Sequence, residues 1–534
     1  MKIKILFKIN LMLFLFCISS CEVLDEQPFT QNETENYYLD SNDAIDGLAS
    51  AYARLKSGNG YYKQKYLSTI FAASDQGIST FLLNNFKNGT VTSTDPNIDT
   101  IWKDIYVAIR DANNVIANVP SIEMDEELKS RIIGEAKFLR ALHYFNLVRC
   151  FGEVPLRTEP VTAEGVSEGL PLSPIIDIYN QIIEDLQYAS LNCSNRAETD
   201  IGRATKSSSD ALLAKVYLRI ASCKQTALGL MNVGSSGTSN DGINGNVQYL
   251  QFQESPTYYY ESAKNSCDNA LLDNGFNLVG NLEDWVTIFD PNNGNSPEML
   301  FDVQGSNEIG QGTAVSNLFT PRNSGLSGTG FGGSNKLKGK FINNYLDKSD
   351  PRFQNSIIKE YQTSSRLFEI NNGSTGYFST PFDSDLNPYT LWQVWTSKYI
   401  DSDATSPYDS RQNWHIIRLA DVYLMRAEAL AELNQNPSLA NNDINILRNR
   451  VGATEIDFSS YSMSDFRTTL LKERAVELYM EGHRFFDLTR FGVYNEYCYK
   501  VLNGIGGNTD GSRQADDYTW PIPIFEIAAN SNIN

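Results

Sequence analysis

Along most of the chain the apolar residues recur at the spacing of a helix. In the stretch Gly134 to Leu156, GEAKFLRALHYFNLVRCFGEVPL, residues Phe138, Ala141, Leu142, Phe145 and Val148 share one helical face. Gly152 stands where such a helix stops, and Pro155 follows it. The same period predicts helices over Asp43–Lys56, with Asp43 as N-cap, over Asn97–Val119 and over Pro174–Ser190. It predicts others over Gly202–Ile220, behind a Ser-rich cap, and over Thr257–Leu272. Ala227–Asn246 is rich in Gly, Ser and Asn and reads as loop.

Between Leu272 and Asn413 the helical period shortens and Gly, Asn and Asp become frequent; Met299–Val303 has the texture of a strand. Helical texture returns at Trp414, where Ala420, Tyr423, Leu424, Ala427 and Leu430 face one way, and a partner helix follows over Leu439–Val451. This helix–short turn–helix pattern with small residues looks like a tetratricopeptide repeat, and the earlier helices read as looser copies. Each pair in such a stack buries its apolar face only against its neighbours. The last strong element is Leu470–Gly492.

At 534 residues the chain exceeds an ordinary domain of about 100–200 residues, so it is several domains or one large repeat assembly. The predicted division is a leader over 1–20, a tether over 21–42, a helical region over 43–273, and a second region over 274–534. Within the last, 274–413 is a loop-rich insert and 414–492 holds repeat-like helices. With 41% hydrophobic residues the chain has ample core. A net charge of −20 argues against a nucleic-acid partner, which requires clustered Lys and Arg.

Charge also marks the N-terminus. Lys2, Lys4 and Lys8 precede a short apolar run, Leu11–Ile18, too short to span a bilayer stably. Ile18-Ser19-Ser20-Cys21 then resembles a bacterial lipobox, which makes Cys21 the acylated first residue of a mature chain. Beyond Cys17 and Cys21, the five remaining cysteines are odd in number and form no CxxC pair, so neither a disulfide framework nor a zinc site is implied.

The usual catalytic and metal signatures are missing. There is no HExxH, and Gly339-Lys340 is followed by Phe341 where a phosphate loop needs Ser or Thr. Asp383, Asp385 and Asn387 begin like a calcium loop, but Pro388 replaces its Gly and Val394 its Glu. Glu473, Glu477 and Glu481 repeat every four residues, yet Arg474, Arg484 and Arg490 interleave with them, and a charge network is the expected reading. Neither a catalytic residue, a metal nor a cofactor is expected.

The informative patch is Tyr377–Trp414. It gathers Tyr377, Phe378, Phe382, Tyr389, Trp392, Trp395, Tyr399, Tyr408 and Trp414 among Asp, Ser, Thr and Pro, and so holds three of the six tryptophans. Aromatic rings outside regular helices make flat apolar platforms with polar neighbours. A sugar ring, with one C–H face and a rim of hydroxyls, suits such a platform. The alternative is a satellite core beneath a long loop.

Several of these stretches also match a known family. FLRALHYFNLVRCFGEVPL, GRATKSSSDALLAKVYL, IIRLADVYLMRAEALAE, ERAVELYMEGHRFFDLTRFG and the final WPIP resemble signatures of the SusD/RagB family of surface nutrient-binding lipoproteins. The resemblance implies an all-α-dominated fold, a right-handed tetratricopeptide-like superhelix carrying a loop-rich ligand face with little β-structure. It implies a non-catalytic lipoprotein on the outer face of the outer membrane, anchored through Cys21. Such a protein sits over a SusC-like, TonB-dependent transporter and passes it glycans. A peptide-binding member of the same family and a surface glycosidase are the competing functions. By the same resemblance Asp75, in Ala72–Gly77, lies at the site. The ligand is then expected between the Asp75–Phe86 segment, with Asn85 and Phe86, and the aromatic loop, with Trp392, Trp395, Tyr399 and Trp414.

Overall fold

The computed structural model describes residues 37–533 except 80–82, 162–168, 235–238, 329–331, 339–340, 343–344, 363–366, 370–392 and 503–517. Cys21 and Trp392 therefore lie outside the described residues.

Helices dominate. Among the longer ones are α1 (Ser41–Ala53), α2 (Lys65–Ala73), α3 (Pro96–Asn118), α4 (Glu126–Phe151), α5 (Ile175–Asn192), α6 (Lys206–Ala227) and α7 (Pro256–Ala270). They are followed by α8 (Leu419–Asn434), α9 (Asn441–Asn449), α10 (Met463–Glu477), α11 (Arg484–Arg490) and α12 (Tyr494–Leu502). From α3 to α8 each helix packs on the next, so the chain builds a tetratricopeptide-like superhelix in which neighbours cover each other's apolar faces. Caps set the boundaries. Asp40, not Asp43, caps α1, and the Asp43 carboxylate returns the bond to complete a capping box. Asp95 caps α3 and Thr205 caps α6. Helix α4 stops at Gly152, whose φ of 73° is left-handed.

Three expectations change. Ala227–Asn246 contains a short helix, Asn240–Gly245, capped by Ser239. Trp414–Arg418 is a strand, and α8 begins only at Leu419. Leu470–Gly492 is two helices, because Met480 and Gly482 take left-handed φ of 61° and 83° between α10 and α11.

Strands are short: β1 (Gly77–Ser79), β2 (Met299–Val303), β3 (Asn335–Lys338), β4 (Glu360–Gln362), β5 (Leu367–Glu369), β6 (Gln393–Val394) and β7 (Trp414–Arg418). They form antiparallel sheets in the orders β1-β3-β6, β2-β7 and β4-β5.

The glutamates of α10 and the following turn are buried structural charges. Glu477 meets Arg352 at 2.9 Å, Arg418 at 2.7 Å and Arg450 at 2.7 Å, and accepts from Trp285 Nε1 at 3.1 Å. Glu481 meets Arg418 and Lys398, each at 2.7 Å, and Glu473 meets Arg352 at 2.6 Å. The interleaved arginines serve other acids: Arg474 reaches Asp421 and Asp487, Arg484 reaches Asp75, and Arg490 reaches Glu428 and Asp487. Five cysteines, Cys150, Cys193, Cys223, Cys267 and Cys498, are free and buried. None of the described helices is long and apolar enough to cross a membrane.

Candidate functional site

The sheet β1-β3-β6 joins three segments far apart in sequence. Gly77 pairs with Leu337, Ile78 with Lys336 and Ser79 with Asn335; Leu337 then pairs with Val394, and Lys338 with Gln393. The chain after Asp75 and the aromatic loop before Trp414 thus become outer strands of one sheet, with β3 between them. Alternation along β3 buries Leu337 and leaves Lys336 half-buried on the other face. Trp395, directly after β6, is half-buried. Its indole meets the Tyr361 ring edge-on, with centroids 5.6 Å apart, and Lys336 Nζ stands 5.1 Å from its centroid. Burial pushes the Lys336 ammonium down to about 8, so it sits in a partly desolvated position beside the ring.

Of the buried oxygens without hydrogen-bond partners among the described residues, Ser79 Oγ and Asn335 Oδ1, on paired residues of β1 and β3, lie on the inner face with Leu337, whereas Asn317 Oδ1 lies beside Gly332, near the indole. Such groups take a partner from water or a ligand. Gly333 passes over the edge of the indole, where a Cβ would lie 3.6 Å from Trp395 Nε1. The arrangement offers an apolar ring face with hydrogen-bonding groups close by.

Other expected site residues are placed elsewhere. Asp75 is fully buried, and both its oxygens accept from Arg484, at 2.9 and 2.8 Å, which fixes the turn between α2 and β1 and leaves no lone pair facing solvent. Phe86 is 1% exposed and packs edge-on against Trp520. Tyr399 and Trp414, 0% and 3% exposed, stack on each other and on Phe319, and the Tyr399 hydroxyl donates to the Met480 carbonyl. They form the satellite core, a pillar beneath the sheet, because their ring faces are already covered. Asn85 is exposed and its amide donates to Asp95 at 3.3 Å.

Lys336 and Tyr361 were not foreseen. The only sequence signal for Lys336 is the alternation in Asn335-Lys336-Leu337-Lys338, and the glycines at Gly328–Gly333 drew attention away from it. Among the described residues no group of three His, Cys, Asp or Glu side chains is placed to hold a metal ion.

Comparison with known proteins completes the description. A model of the SusD family matches residues 231–534, and one described as starch-binding and associating with the outer membrane matches residues 22–218. SusD-like protein P25 of Formosa agariphila is 25% identical over 98% of this chain and 97% of its own. The starch-binding protein SusD of Bacteroides thetaiotaomicron is 25% identical over 77% of this chain and 72% of its own. Among solved structures, a laminarin-binding SusD-like protein is 26% identical with a TM-score of 0.65, covering 93% of this chain and 99% of that one. A SusD homologue from Bacteroides thetaiotaomicron superposes with a TM-score of 0.73 over 95% of this chain and 98% of that one, at 22% identity.

Proposed function

The chain belongs to the SusD/RagB family, and from that premise we propose that it captures glycans at the cell surface and delivers them to a TonB-dependent, SusC-like transporter of the outer membrane. Relatives that carry a ligand in their names include a starch-binding and a laminarin-binding protein, and a structural neighbour was solved with a xylogluco-oligosaccharide. The observation that carries the reading is the edge of the β1-β3-β6 sheet. There Trp395 presents a half-buried indole beside Tyr361 and Lys336, and the Asn317 amide oxygen, without a hydrogen-bond partner among the described residues, lies close by. The indole stacks on the C–H face of a sugar ring, and the Asn317 oxygen accepts from a hydroxyl. Nothing here performs chemistry on the glycan; the protein binds and hands on. Cys21 carries the acyl chains that hold it to the outer face of the membrane.

Each neutral hydrogen bond nets only about 0.5–1.5 kcal/mol against water, so affinity is modest, near micromolar or weaker, about −8 kcal/mol. The test is calorimetry of the mature chain with laminarin- and starch-derived oligosaccharides, with chromatography of the ligand afterwards. Saturable binding with the ligand recovered intact is the expected result. Trp395→Ala, verified as folded by circular dichroism, should lose about 2 kcal/mol. Cleaved ligand, or glycan affinity unchanged by Trp395→Ala, would overturn the reading, and binding of peptides alone would move the protein to the peptide branch.

A further inference from the structure

A polar cavity of about 240 Å³ lies between the loop that leads into α6 and strand β2. None of the residues of the β1-β3-β6 sheet lines it. Arg196, Thr199, Arg203, Asn295, Asp302 and Gln304 contribute its polar wall, and β2 supplies an apolar one. The pairing of β2 with β7 shifts register on both sides of Phe301, the kind of bulge that re-aims a side chain.

Asp302 lines this cavity at only 4% exposure, and neither carboxylate oxygen has a hydrogen-bond donor among the described residues. Its Oδ2 lies 3.1 Å from His415 Nδ1, off the line that a ring N–H needs. The Gln304 Nε2 is likewise buried without an acceptor. A buried acceptor and donor left unpaired are both costly, and a ligand that supplied partners for both would recover that cost. We propose that this cavity is a binding site for a small uncharged polyol, of the size of a single sugar ring, distinct from the sheet edge at Trp395.

Charge decides the class. Arg196 and Arg203 are opposed by Asp200 and Asp302 around the wall, which disfavours either an anion or a cation. The Arg196 guanidinium is also already engaged, donating to the carbonyls of Asn295 at 2.9 Å and Met299 at 3.3 Å, and its plane lies over Phe276. Burial pushes the Asp302 carboxyl up, against the pull of His415, Arg196 and the nearby Asn413 amide, none of which donates to it in good hydrogen-bond geometry, so it favours a hydroxyl over a metal ion. Hydroxyls both donate and accept, as Asp302 and Gln304 require.

The inference stands apart from the reading of Trp395, and one experiment separates them. Saturation-transfer NMR and calorimetry on the mature chain use D-glucose, D-galactose, D-mannose and D-xylose as probes. At least one should bind saturably, with millimolar affinity. Thr199→Trp, which fills the mouth without touching Asp302, and Asp302→Leu should each weaken that binding at least tenfold. The loss on Thr199→Trp should persist in the Trp395→Ala background, where the sheet edge no longer contributes. No saturable binding to the Trp395→Ala protein, or full binding by the Thr199→Trp, Trp395→Ala double variant, would each overturn the proposal. Should Asp302→Leu fail to fold, Thr199→Trp decides alone.

Discussion

Glu477 is fully buried and meets three guanidinium groups, which makes it the best place to ask what a buried charge does. Burial alone would push its carboxyl up, but Arg450, Arg418 and Arg352 hold it well below the usual carboxylate range. Removing one partner from such a cluster leaves uncompensated charge in a dry interior, at a cost of about 3–5 kcal/mol. Glu477→Gln should therefore lower the melting temperature sharply while glycan affinity at the sheet edge is kept. Lost affinity at unchanged stability would show a binding role instead. The sequence made the charge network legible through the alternation of Glu and Arg, but not its pairing. The partners of Glu477 come from β7, from α9's end and from the chain near Asp350, distances that no local spacing encodes.

The same cluster sets a pH dependence. Glu481 is buried, which raises a carboxyl, yet Arg418 and Lys398 bring it down to about 2. An unfolded Glu titrates at about 4.3. Its folded pKa is depressed, so its contribution to stability is complete above the unfolded value and is lost as pH falls from about 5 toward 2. Melting temperature should be flat above that window and fall within it. Glu481→Gln should start lower and show a shallower acid slope, and an identical slope would refute the assignment.

Elements depend on single backbone positions. The break between α10 and α11 brings Met480 O to the Tyr399 hydroxyl and lets Gly482 pass against Ile70 and Trp414. A Cβ on Gly482 would stand 3.0 Å from Ile70 Cδ1 and 3.2 Å from Trp414 Cζ2, at a φ of 83° that L-residues rarely adopt. Gly482→Ala should destabilise by more than about 1 kcal/mol, read as a lower urea midpoint at unchanged slope. An unchanged midpoint would mean that the break is set elsewhere. Helical period alone hid this break, because Leu470–Gly492 keeps its apolar spacing across it. Helix α3 was legible from its period and the end of α4 from its period and Gly152, whereas the start of α4 at Glu126, behind the Asp125 cap, was not. The three-stranded sheet was not, since β1 has three residues and β6 two, too few for any alternation to register. Its consequence is the displacement of the candidate site: Tyr399 and Trp414 support the sheet from below, and Trp395 remains at its edge.

At the scale of the whole molecule the question is what keeps the protein at a membrane. The net charge of −20 repels it from anionic lipid, and cleavage of the proposed leader over residues 1–20 would remove only Lys and no acid. None of the described helices is long and apolar enough to cross a bilayer. On the proposed reading, acyl chains on Cys21 supply the attachment. One chain gives only marginal, reversible binding at about 0.8 kcal/mol per buried methylene, whereas two or more anchor stably. Attachment of this kind is hydrophobic, and high salt, which screens charge, should not release it. In cells the wild type should stay in the membrane fraction through a salt wash, leave it with detergent and take up labelled palmitate. Cys21→Ala should take up no label and appear in the soluble fraction or as the unprocessed precursor. Retention of Cys21→Ala in salt-washed membranes as a processed, unlabelled chain would show that another contact, such as a transporter, holds the protein there, and the anchor would have to be abandoned.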